Sequence, residues 1–214
     1  MYLGWDPHLM RTFGVFFDTS IAAIVYGLVF FITESLIIKF IFLIFLILSF
    51  SRSVILSFIF ALGYSIYKEK KSALSLMLIV FFIIVSLILT PKPFGEGAKL
   101  TRTFTIISRI NDYKEGLNLF FKRPFFGWGY NRLRYVRDII DSNAASNFSS
   151  SYLTVLAASG ISGLSGLLVL IYFFWKKFHD KRVIFIFIGL ASFFDNIFLH
   201  PFILFLIFSS LFDK

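Results

Sequence analysis

ALSLMLIVFFIIVSLILT, residues 73–90, decides the fold: eighteen consecutive positions carry no charge. At 1.5 Å per residue such a helix runs about 27 Å, close to the ~30 Å of a bilayer's hydrocarbon core. It follows Lys68, Lys70 and Lys71, a cluster that the positive-inside bias assigns to the cytoplasm. Residues 54–67 reach the same cluster from the other side, which puts Arg52 at the outer end of that run. Residues 151–175 are long enough to span with some tilt and end in Lys176, Lys177, Lys181 and Arg182, a second cytoplasmic signature. The segment 91–150 between the two runs is then external. It holds ten basic residues (Lys92, Lys99, Arg102, Arg109, Lys114, Lys122, Arg123, Arg132, Arg134, Arg137) against five acidic ones (Glu96, Asp112, Glu115, Asp138, Asp141). So many cations on an external surface point to an anionic ligand.

Composition agrees with this reading. Of 214 residues, 58% are hydrophobic and 32 are Phe, with a mean hydropathy of +0.84, more apolar surface than a water-soluble fold of this size can hide. The apolar runs are continuous instead of alternating, which favours helices over a barrel. Without cysteine there is no disulfide or thiolate chemistry, and His8, His179 and His200 lack metal-ligand spacing, so no metal or cofactor is expected. The net charge of +9 borders the apolar runs, which selects anionic headgroups or a lipid-linked anion over nucleic acid. Residues 1–11 are polar and mixed, and no small-residue cleavage site follows, so no cleavable leader is expected.

Two runs are ambiguous. Residues 21–50 contain only Glu34 and Lys39 as charges; they form two short spans turning there, or one tilted helix of about 45 Å that would overhang the bilayer. Residues 183–211 are interrupted by Asp195, Asn196, His200 and Pro201: a span to about Phe194 and a short or re-entrant helix with Pro201 at its first position, or one bent helix. The expectation is an all-α polytopic membrane protein of about six transmembrane helices, a single membrane domain over 1–214 with the external loop 91–150. Inside that loop Ile106, Ile110, Tyr113, Leu117, Phe120 and Phe121 recur three and four apart. That predicts an amphipathic helix of about 20 residues, suited to lying on the outer interface and stopped by Pro124. Residues 125–130, FFGWGY, follow as a glycine-permitted tight turn with aromatic anchors.

The order of these pieces resembles the O-antigen ligase and polymerase superfamily of bacterial envelope glycan assembly. Arg109 is followed by an amphipathic helix, RPFFGWG at 123–129, a polar spacer, and YLTVLAASGISG at 152–163. This is similar to the family's Pro-hydrophobic-hydrophobic-Gly-x-Gly turn and its glycine-punctuated helix. Ser51-Arg52 looks like the family's Ser-Arg at the outer end of a span, and RTFGVF at 11–16 like its Arg-x-x-Gly-x-Phe. The match runs over roughly residues 11–200. It departs at one place: the family's His-Asn falls on Ser149-Ser150. The family's ten or more spans also exceed those expected here, which suggests a truncated gene, a split subunit or a degenerate copy.

The resemblance implies a polyprenyl-pyrophosphate-linked glycan as donor, a glycan or lipid as acceptor, membrane lipids as surroundings, and placement in the bacterial inner membrane as a multi-pass protein. A partner supplying missing helices is a further possible requirement. Breaking the anomeric bond leaves charge on a phosphate oxygen, which guanidinium groups match in a bidentate way without a metal. Arg52 and Arg109 are the expected catalytic cations, facing one outer cleft. Asp195 is the expected base or arginine-orienting group, since a charge in an apolar run is costly without a partner. Arg11, Arg123, Arg132, Arg134 and Arg137 are the expected substrate-binding cations. The plainer readings are a snorkelling Arg52, a solvated or headgroup-bound Arg109, helix-end cations at Lys122 and Arg123, and an Asp195 ion pair. The alternative function is an inactive or accessory subunit of a polysaccharide assembly complex. A small transporter lacks support, because no internal repeat is visible.

Overall fold

A computed structural model describes residues 11–12, 14–16, 18–70, 72–89, 103–137 and 147–212. Lys71, Thr90, Lys92, Glu96, Lys99, Arg102, Asp138, Asp141 and His8, singled out above, lie outside them, as do Phe13 of the 11–16 motif and the ends of segment 91–150. The described chain is all-α, in two compact units: Met1–Arg102 with Ile186–Ile188, and Thr103–Phe185 with Gly189–Lys214.

In the first unit, α1 (Thr19–Ile32) begins where Asp18 accepts the Ser20 and Ile21 amides at 2.6 and 3.1 Å, satisfying donors that the first helical turn leaves orphaned. The break at 33–35 separates it from α2 (Leu36–Leu48). Ala22, Ala23 and Leu28 are fully buried, and Gly27 faces the Phe187 ring so closely that a Cβ would collide with it. Phe30, Phe31, Phe58 and Phe187 form one cluster with centroids 5.0–6.1 Å apart, within the range of favourable offset and edge contacts. α3 (Arg52–Lys68) follows a corner at Phe50 (φ 49), and α4 (Ala73–Leu89) follows a second left-handed residue, Lys70 (φ 53).

In the second unit, α5 (Phe104–Lys122) is followed by the turn 123–129, a 3-10 turn (Tyr130–Arg132) and the short α6 (Leu133–Val136). α7 (Ser151–Lys177), α8 (Arg182–Ala191) and α9 (Pro201–Phe212) complete the order, with Pro201 starting its helix as its missing N–H favours. The core here joins Leu119, Leu133, Phe148, Leu153, Ala157 and Ala158. α5 meets α7 through Gly116, where a Cβ would come within 2.7–2.8 Å of the Leu153 side chain. Most of the apolar stripe expected on α5 faces outward, with Ile106, Ile110, Leu117 and Phe121 exposed, while Gly116 and Leu119 are buried and Tyr113 packs against the core.

The expectation of about six membrane-spanning helices is corrected. Among the described residues one helix, Ser151–Lys177, is long and apolar enough to cross a membrane. The apolar run 21–50 is cut at 33–35 into helices of 14 and 13 residues, about 21 and 20 Å long. Helices α8 and α9, of 10 and 12 residues, are shorter still. Apolar runs of this length are more often core helices than spans. The placement as a multi-pass protein of the bacterial inner membrane is corrected on the same ground, since it requires more than one membrane-length helix.

Candidate functional site

The polar residues of the second unit gather where α5, the start of α7 and the segment 192–198 meet. Arg137 is the centre. Its side chain is only 6% exposed and donates to Glu115 Oε1 and Oε2 at 2.8 and 2.9 Å, to Asp112 Oδ1 at 3.1 Å and to the Asn147 carbonyl at 2.9 Å. The guanidinium lies 4.2 Å from the Phe148 ring centre. Asp112 and Glu115 are three apart on α5, so one helix face presents both carboxylates to one guanidinium. That spacing sets the two carboxylates side by side, but nothing in it points to Arg137, 22 and 25 positions on.

The other oxygen of Asp112 accepts the Ser149 amide at 3.1 Å. Ser150 is the N-cap of α7: its Oγ accepts from the Leu153 amide at 3.4 Å and donates to the Ser192 carbonyl at 3.1 Å, and the residue is fully buried. The Ser151 amide donates to the carbonyls of Ser192 and Asp195 at 3.0 and 3.2 Å, and its Oγ receives the Phe198 amide at 3.0 Å. Thr154 Oγ1 donates to the Ser150 carbonyl at 2.8 Å and receives the Phe148 amide at 3.1 Å. These bonds take up donors that a helix start would otherwise offer to an anion.

The expected site residues divide accordingly. Arg109 lies on α5 with its guanidinium 5.9 Å from the Phe194 ring centre, and Tyr113, one turn on, hydrogen-bonds the Phe193 carbonyl. Arg109 is thereby brought to the segment that carries Asp195, whose Oδ1 accepts the Asn196 amide at 2.9 Å. Arg137 joins the same junction, tied to carboxylates. Arg123 is exposed over the Trp128 ring at 4.2 Å, Arg132 is exposed in the 3-10 turn, and Arg134 donates to the Tyr135 hydroxyl at 3.3 Å. In the first unit, Arg11 donates to the Ser49 carbonyl at 2.7 Å, while Thr12 takes up the Phe45 and Leu48 carbonyls. A cation at a helix C-terminus is favourable there. Arg52 is the half-buried first residue of α3. Among the described residues no group of three or more His, Asp or Glu side chains could hold a metal ion.

The two glycine-bearing stretches lie against each other. α7 is interrupted at Gly160 (φ 66, ψ −160), and the 124–129 turn fills the interruption. The Trp128 and Gly129 amides donate to the Ala157 and Ala158 carbonyls at 3.0 and 2.7 Å; the Ile161 and Ser162 amides donate to the Pro124 and Phe125 carbonyls at 2.8 and 3.3 Å.

In the second unit an arginine-bearing helix, a Pro-Phe-Phe-Gly-Trp-Gly turn and a glycine-broken helix thus interlock. A family model described as O-antigen ligase matches residues 37–168. The chain belongs to the O-antigen ligase family. No curated protein and no solved structure matches it.

Proposed function

We propose that this chain is a non-catalytic member of the family, an accessory subunit in polysaccharide assembly that binds an anionic, lipid-linked glycan without turning it over. The observation that carries the reading is what stands at Ser149-Ser150. Where the resemblance puts a histidine and an asparagine, this chain has two serines; Ser150 caps α7 and bonds the Ser192 carbonyl, and the Ser149 amide is held by Asp112. Neither supplies a base near pH 7, because a serine hydroxyl does not titrate in that range. Arg137, which could have stabilised a leaving phosphate, is instead neutralised by two carboxylates. Arg109 supports the binding half: it faces the Phe194 ring and, among the described residues, bonds no carboxylate. Family membership points to glycan- and lipid-linked ligands in general.

The test uses the purified full chain with a polyprenyl-pyrophosphate-linked oligosaccharide and a glycan acceptor. Saturable binding without transfer product is expected, with affinity falling about tenfold in Arg109→Ala, the loss of one charge-assisted contact. Transfer product above the no-protein control sinks the non-catalytic reading. Absence of any binding sinks the ligand.

A further inference from the structure

We propose that the 124–129 turn and the interruption in α7 form a two-state element, in which the turn is a removable plug and α7 closes into one continuous helix when it withdraws. In an uninterrupted helix the Ile161 amide would donate to the Ala157 carbonyl and the Ser162 amide to the Ala158 carbonyl, by the i to i−4 rule. All four groups are instead diverted to the turn: Ala157 and Ala158 accept from Trp128 and Gly129, and Ile161 and Ser162 donate to Pro124 and Phe125. The same four helix groups therefore have a complete set of partners in either arrangement, and withdrawal leaves only the groups of the turn to find new ones.

Gly160 makes both arrangements accessible. Its present φ of 66 is tolerated because it has no Cβ, and the ordinary helical φ is equally open to it. The docked state is held by backbone contact: a Cβ on Gly127 would come within 2.6 Å of Ser159 N and one on Gly160 within 2.6 Å of the Pro124 carbonyl. Two side chains add to it. The Trp128 indole donates to the Leu119 carbonyl at 2.9 Å, and Ser162 Oγ donates to the Phe125 carbonyl at 2.9 Å. Docking makes more hydrogen bonds than annealing restores, so the docked form is the major state and the straight helix the minor one. A partner that captures the exposed Phe125, Phe126 or Arg123 would shift that balance.

Amide hydrogen exchange of the full-length protein tests the element. At low denaturant the Trp128 and Gly129 amides should exchange about tenfold or more faster than those of Ile161 and Ser162, because withdrawal frees the first pair and leaves the second helix-bonded. Exchange of all four at one rate overturns the proposal. Gly127→Ala, which clashes with α7 from the turn side, should abolish protection at Trp128 and Gly129 while Ile161, Ser162 and the Thr154 amide stay protected. Loss at Ile161 and Ser162 with Thr154 still protected overturns it, as does retained protection at Trp128 and Gly129. Should that variant fail to fold, the native-chain measurement decides alone.

Discussion

The first unit and the polar junction of the second are held together by different physics. Around Phe58 the contacts are rings at 5.0–6.1 Å, with Gly27 leaving space for the Phe187 ring. Around Arg137 the contacts are directional bonds to Asp112, Glu115 and the Asn147 carbonyl. Packing of the first kind depends on volume and tolerates chemical variation of similar size. A network of the second kind depends on geometry, and removing one member strands the others.

The largest expected effect is therefore Phe58→Ala, a cavity at a fully buried ring, costing about 3–5 kcal/mol in chemical denaturation. Phe58→Leu should recover more than half of it; equal loss in both would mean that ring geometry, not volume, governs the first unit. Next is Arg137→Met at about 3 kcal/mol, since two carboxylates lose their partner; the partial exposure of Glu115, 38%, keeps the figure at the lower end of the range for a buried pair. Arg137→Lys should restore little of that stability because an ammonium cannot bond both carboxylates as a fork. Recovery to wild type would erase the contrast between the regions. The smallest is Ser150→Ala, about 1–2 kcal/mol through the lost cap. Amide exchange should place that loss at the first turn of α7 and not in α1 or α3.

The helices themselves were legible in the sequence. The charge-free run 73–90 became Ala73–Leu89, the break near Glu34 became residues 33–35, and Pro201 opens its helix. Hydropathy overcounted spans because it does not weigh length: the break near Glu34, visible in the sequence, leaves helices of only 14 and 13 residues in 21–50. The helix over 104–122 was legible too, with its end before Pro124; the face by which it packs was not, because a glycine, Gly116, marks it and a periodicity count gives glycine no weight. The family resemblance was legible because turn 123–129 and the 152–163 segment keep their order. The clamp of Arg137 was not, since its partners lie 22 and 25 positions away and nothing local pairs them.

The glycines also differ in how their loss could be repaired. A side chain introduced at Gly27 strikes the Phe187 ring, and a second-site suppressor has an obvious target there, a smaller residue at 187. At Gly127 and Gly160 the obstacle is the main chain of Ala158 and Phe125, which no substitution can trim. Revertants selected against lesions at Gly127 and Gly160 should accordingly be true reversions at the codon itself, whereas lesions at Gly27 leave the genome a way around.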